Sequence, residues 1–292
     1  MQSDIVKASA VALSVGLLTA LPAAADPFFF TTGSPDGLMA SASRPATGAP
    51  FEIESSDDFT LASPTSITSA TFTGLVTTTT PGLTPTIGEV VVEIYQVFPN
   101  LSNIGRTSGP PTFSTSQVPT RVNSPSDVEL DSRDSASGNL TFTAKDLGSF
   151  AAVNSVLPGG IHPTPGQTTG GNGPVTGEEF EFDVSFPTPF SLPADHFFFV
   201  PQVQVTGGNF LWLSAPKTIP APADLQSWTR DSMLEPDWLR IGTDIVGGNP
   251  APQFNAAFSL TGVLLPEPAT LSLLGVGLAA IGLLGWRRGR RS

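Results

Sequence analysis

The sequence predicts an all-β fold, a β-sandwich of jelly-roll kind, with an N-terminal signal peptide before it and one C-terminal transmembrane helix after it. Three observations lead there. The 29 glycines and 29 prolines, with many Ser and Thr, supply frequent turns, and 20 phenylalanines dominate the aromatic residues. Between residues 26 and 265 several windows alternate apolar and polar side chains with period two, the pattern of a strand with one buried face. No window there sustains the 3.6-residue period of a helix. Eight or nine short strands without helices pack as two sheets.

Met1–Lys7 forms a short leader with one lysine, offset by Asp4. Ala8–Leu21 is apolar but short for a membrane span. Pro22 breaks it, and Ala23 and Ala25 stand at the A-x-A positions of a secretory signal, so cleavage is expected after Ala25. An uncleaved N-terminal anchor is the alternative. Residues 26–265 then lie outside the cytoplasmic membrane as one domain. This body holds 23 acidic and 8 basic side chains, a net charge near −15. That balance excludes nucleic acid and anionic membrane surfaces as partners and is compatible with divalent cations. The chain has no cysteine. Disulfides, thiol nucleophiles, iron–sulfur clusters and thiolate zinc sites are therefore excluded, and core packing alone must hold the fold.

The strands follow in order. Phe51-Glu52-Ile53-Glu54 alternates, and Ala70–Val76 is threonine-rich strand material. Val90–Val97, broken only by Glu93 and Gln96, reads as a central strand. Phe180, Phe182, Val184 and Phe186 alternate with Glu179, Glu181, Asp183 and Ser185. Phe197–Val205, Phe210–Leu213 and Ala257–Leu265 complete the set, and a helical turn is expected at Ala223–Trp228. Asn100–Asp134 and Leu157–Gly177 read as long irregular segments.

Catalytic signatures are sparse. The chain lacks G-x-S-x-G, H-E-x-x-H, a phosphate-cradling loop and a dinucleotide fingerprint after a strand. Of the two histidines, His196 opens a strand and reads as packed, while His162 reads as solvated in a Gly/Pro loop. Carboxylates remain. Glu179, Glu181 and Asp183 share one strand face at two-residue intervals, about 6.5 Å apart. Such a row can bind Ca²⁺ or present acids to a glycan, and it is equally the wet side of a half-buried strand. Asp57 and Asp58 point to opposite faces, so one carboxylate turns inward and needs an arginine or a hard cation. Asp231, Asp237 and Asp244 lie near Trp228 and Trp238. That combination suits sugar binding if the indoles are exposed and a core if they are not.

The C-terminal stretch has three parts: Pro266-Glu267-Pro268, then the uncharged run Ala269–Trp286, then Arg287, Arg288, Arg290 and Arg291 within the basic tail 287–292. The prolines hold Glu267 extended. A helix over 269–286 reaches about 27 Å, close to the thickness of a bilayer core, and the arginines retain the tail in the cytoplasm. This arrangement resembles the PEP-CTERM sorting signal, which is read by an exosortase, a membrane-embedded enzyme similar to cysteine proteases. A plain single-pass anchor is the alternative. Asp36–Met39, Asp57-Asp58-Phe59, Asn123–Asp127 and Pro236–Gly242 also resemble stretches of uncharacterised exported PEP-CTERM proteins, a resemblance that carries no known activity. The sorting-signal resemblance implies a non-enzymatic surface or matrix protein of structural or adhesive type, exported, membrane-anchored before processing, with an exosortase and exopolysaccharide as partners and no cofactor unless Ca²⁺ is bound. A secreted carbohydrate-active enzyme is the second expectation. It would need two carboxylates flanking a cleft, about 5–5.5 Å or about 6.5–9.5 Å apart.

Overall fold

In a chain this rich in phenylalanine, strand alternation decides which rings enter the core. The computed structural model describes residues 26–79, 84–106, 108–109, 115, 117–161, 168–217, 224–266 and 277. Its strands are β1 (Pro27–Thr31), β2 (Met39–Ala42), β3 (Ile53–Thr60), β4 (Thr65–Thr78), β5 (Thr86–Gln96), β6 (Asp131–Asp134), β7 (Thr141–Ala152), β8 (Asn154–Val156), β9 (Val175–Leu192), β10 (His196–Thr206), β11 (Gly208–Ala215), β12 (Trp228–Asp231), β13 (Leu239–Arg240), β14 (Asn255–Ala256) and β15 (Phe258–Leu264). The expected signal peptide, Glu267 and Pro268, the expected membrane span apart from Gly277, the tail, and His162 lie outside the described residues. Among the described residues no helix is long and apolar enough to cross a membrane.

Two sheets form. The nine-stranded sheet runs β1-β15-β4-β11-β2-β8, with β9 on the other edge of β4, β7 beyond β9, and β14 on β11. The six-stranded sheet runs β13-β12-β3-β10-β5-β6. Within them, β2-β11-β4-β9 faces β3-β10-β5-β6. Numbered in chain order, these eight strands read 1-8-3-6 against 2-7-4-5, the winding of a jelly roll with its two Greek keys. Gly207, at φ 78°, makes the tight link between β10 and β11 that few other residues tolerate.

The main core lies between the sheets. Phe199 of β10 stacks on Phe258 of β15 at 5.0 Å and meets Trp212 of β11 edge-on at 6.0 Å. Phe72 of β4 stacks on Phe182 of β9 at 4.9 Å. Each of these buried rings contributes about 1.5–3 kcal/mol by leaving water, and close aromatic pairs add to that. Gly74 lets Phe210 lie close against β4, since a Cβ there would stand 2.2 Å from its ring. A second cluster at one end gathers Met39, Ile53, Leu75, Leu211 and Ile241. A third lies outside the six-stranded sheet, where Tyr95, Phe198, Val200, Leu225, Trp228 and Trp238 are buried together. Loop residues roof it: Trp238 Nε1 donates to Ser126 O (3.0 Å), and Leu225 N to Asp58 Oδ1 (2.9 Å).

Several expectations need correction. The described residues form fifteen strands rather than eight or nine, and β9 alone runs for 18 residues. The helical turn expected at Ala223–Trp228 does not form. Asp224–Ser227 is non-helical, Trp228 starts β12, and the six-residue helical turn lies instead at Ile241–Val246. Phe51–Glu54 is not a half-wet strand. β3 begins at Ile53, and Ile53–Phe59 is buried on both faces because loops cover the outer one. The described parts of Asn100–Asp134 and Leu157–Gly177 are largely irregular, as expected, apart from the 3-10 turn Ile104–Arg106, strand β6 and the start of β9.

Candidate functional site

The outward face of the nine-stranded sheet is built by register. Thr31, Ser259, Thr71, Asp183 and Thr143 stand side by side across β1, β15, β4, β9 and β7. Phe29, Thr261, Ser69, Ser185 and Thr141 form the adjoining row. Strands lie about 4.8 Å apart, so each row is a ladder of side chains roughly 19 Å long. Thr71 Oγ1 and Ser259 Oγ are 2.5 Å apart, and Phe29 is 67% exposed. Glu181 opposes Thr73 on one side and Lys145 on the other.

Glu179 and Glu181 line a groove of about 370 Å³ on this face, with Phe29, Thr31 and Leu147. Burial, and then the charge of Glu181, raise the Glu179 carboxyl above its ordinary value. Asp183 is exposed at the next step of the row. The three expected carboxylates thus share one face, but among the described residues no group of three Asp, Glu or His side chains is placed to hold a metal ion. They point the same way from one strand, which spreads them along a line instead of around a point.

The indole region is different. Trp228 and Trp238 are 1% and 2% exposed, so they are core residues. The aspartates near them are engaged locally. Asp231 Oδ1 accepts from Met233 N (2.9 Å), Asp237 pairs with Arg106 at 2.9 Å, and Asp244 holds Arg240 at 2.6 Å. What the sequence reading missed is the charge cluster they surround. Arg230, 3% exposed, is bound through two of its nitrogens by Glu54, 4% exposed, and also reaches Tyr95 Oη (2.9 Å) and Asp127 O (3.1 Å). Its guanidinium lies 4.3 Å from the Trp238 ring centre. Tyr95 Oη sits 2.6 Å from Glu54 and 3.1 Å from Glu93. Burial alone would lower the Arg230 pKa, but the charge and hydrogen bonds of Glu54 outweigh it and the net shift is upward. Burial, then Glu54, pushes Glu93 well above the carboxylate range, and Glu52 is raised by the same two causes in the same order. One available sequence signal was that Tyr95 is the only tyrosine of the chain.

Asp57 and Asp58 are both buried, at 0% and 3% exposure, so the expectation of one inward carboxylate falls short. Among the described residues their partners are a hydroxyl, backbone amides and a histidine, not an arginine. Asp57 accepts from Ser227 Oγ (2.7 Å) and Ala256 N (2.8 Å), and burial followed by the charge of Asp58 drives its carboxyl well upward. Asp58 accepts from Leu225 N, and His196 Nε2 lies 2.5 Å from its other oxygen. His196 is thus half-buried, paired with a carboxylate and stacked against Phe198, and it differs from a merely packed histidine.

These groups set the pH dependence. A carboxyl raised on folding binds its proton more tightly in the folded state, so stability is greatest at acid pH and falls as pH rises above the unfolded value near 4. Asp57, Glu93 and Glu52 all act in this direction. We expect a higher melting temperature at pH 5 than at pH 8. Glu93→Gln should flatten the slope by gaining stability mainly at pH 8. A melting temperature that climbs from pH 5 to pH 8, or a Glu93→Gln profile parallel to wild type, would count against this account.

The body ends where its last ladder ends. Leu264 N donates to Asp26 O (2.8 Å) and Leu265 N to Pro64 O (2.7 Å), so the hydrogen-bonded sheet reaches the residue before Pro266. Residues 265–291 match the family model of the PEP-CTERM protein-sorting motif. The chain therefore carries the signal for exosortase-dependent sorting of an exported, surface-directed protein. No curated protein and no solved structure matches the chain.

Proposed function

We propose that this is a non-enzymatic cell-surface or matrix protein whose jelly-roll body associates with exopolysaccharide after export. The observation that carries the proposal is the sorting motif joined directly to a sheet whose outer face is a continuous hydroxyl-bearing surface. Hydroxyl side chains at strand spacing exchange hydrogen bonds with sugar hydroxyls as donors and acceptors, and an exposed ring such as Phe29 packs on an apolar pyranose face. The acidic body disfavours binding by charge to other anionic polymers, so selectivity would rest on neutral contacts.

The test is co-sedimentation of the exported protein with the exopolysaccharide of its host. Wild type should sediment. Thr71→Glu combined with Thr143→Glu, both opposite Asp183 on the outward face, should leave the protein in the supernatant. The like charges lower the melting temperature, so circular dichroism at the assay temperature checks that the variant is folded. Equal sedimentation of both forms would remove the sheet face from the proposal. A hydrolase is the second reading, favoured by the raised Glu179 carboxyl beside Glu181 in a groove. The two acids stand side by side on one strand instead of flanking a sugar, which weakens it. Release of reducing ends from the polysaccharide, lost in Glu179→Gln, would favour this reading.

A further inference from the structure

A cleft of about 300 Å³ opens in the third cluster, outside the six-stranded sheet and on the opposite side of the sandwich from the hydroxyl rows. Its wall includes Asn123, Leu225, Gln226, Trp228, Arg240 and Gln253. Its size is at the lower end of small-molecule sites. Trp228 Nε1 is buried and has no hydrogen-bond partner among the described residues. A buried indole N–H normally finds an acceptor, so an orphan in the wall of a cleft calls for one from outside the fold.

The charge of the wall narrows the class of ligand. Lys217, on the same wall, pairs with Asp224 at 3.0 Å, and Arg240 is held by Asp244 at 2.6 Å and 3.0 Å. Both cations are thus neutralised within the protein. What remains is amide donors and acceptors on Asn123, Gln226 and Gln253, apolar surface from Val122 and Leu225, and the Trp228 N–H. Among the described residues of the wall, an anion would find no unpaired cation and a cation no unpaired carboxylate. Mixed donors and acceptors around small apolar patches fit a neutral polyhydroxylated molecule.

We propose that this cleft binds one neutral sugar unit, with a ring or hydroxyl oxygen accepting from Trp228 Nε1. The site is independent of the sheet face, so either can fail alone. The probes are glucose, galactose, mannose and N-acetylglucosamine, set against glucosamine and glucuronate, with the exported protein observed by saturation-transfer NMR and calorimetry. At least one neutral sugar should bind, with Kd on the order of 0.1–1 mM. Trp228→Phe keeps a buried ring but removes the N–H, and should weaken binding about tenfold, the worth of one hydrogen bond. Gln253→Ala, at the mouth of the cleft, should weaken it as well and serves as the readout if Trp228→Phe fails to fold. Unchanged affinity in the folded variants, equal binding of glucuronate, or no binding by any neutral sugar would overturn the proposal.

Discussion

Arg230→Met should cost the fold about 3–5 kcal/mol, the usual result of leaving one partner of a buried ion pair alone. Glu54 would then lose both of its bonds to the guanidinium, with Glu93 and Glu52 still close by. For a domain of this size the loss is on the order of 10 °C in melting temperature. The deficit should shrink at acid pH, because Glu93 and Glu52, whose carboxyls burial already raises, then hold protons and add no charge beside Glu54. Arg230→Met with Glu54→Leu should recover much of the loss, since an apolar pair of similar volume often replaces a buried ion pair at little cost. Denaturant midpoints of the single and double variants at pH 5 and pH 8 check each step. A single variant within about 1 kcal/mol of wild type would mean that water reaches Glu54 and relieves its charge.

Glu267→Ala should abolish processing while leaving membrane insertion intact. The substitution alters the Pro266–Pro268 motif but not the uncharged run Ala269–Trp286 that is expected to span the bilayer. In a host with an exosortase, wild type should lose the tail near this motif, and the variant should keep all of Ala269–Ser292 by mass. Replacing Arg287, Arg288, Arg290 and Arg291 should act differently, disturbing orientation and retention. Each arginine costs about 2.5–3.5 kcal/mol at the bilayer centre, so together they resist transfer. If wild type also keeps the tail in that host, the segment is a plain membrane anchor and the motif is not cut.

The parts of the fold that were legible are those where one strand face is wet. Phe182, Val184 and Phe186 are buried and alternate with the exposed Asp183 and Ser185, so β9 carries its own period-two signal. Strands β1, β2, β6, β8, β12, β13 and β14 have two to five residues, too few to show a period. In β7 the register shifts between Asp146 and Gly148, which breaks its alternation. Glu54 looked like a wet-face residue because the groups that cover it, Arg230 and Tyr95, lie far away in the chain. The helical turn at Ala223–Trp228 failed for a similar reason. Leu225 and Ser227 are held to Asp58 and Asp57, partners about 170 positions earlier, and those bonds fix the segment in a non-helical path. At the candidate site, the row of Glu179, Glu181 and Asp183 was readable from one strand. The hydroxyl ladder was not, because it exists only once five strands are paired in register.

The join between β15 and Pro266 also decides how the domain bears load. A protein held by its C-terminus and pulled by whatever it grips passes the force through residue 266 into β15. That strand pairs with β1 from Pro27↔Val263 to Thr31↔Ser259, and with β4 from Phe258↔Phe72 to Leu264↔Thr65. Antiparallel hydrogen bonds run perpendicular to the strands. Tension along β15 therefore loads all of them at once in shear, and failure requires the whole strand to slide instead of peeling off one bond at a time. Load applied at the C-terminus would thus enter the sheet at Leu264 and Leu265, whose amides are already bonded to Asp26 and Pro64.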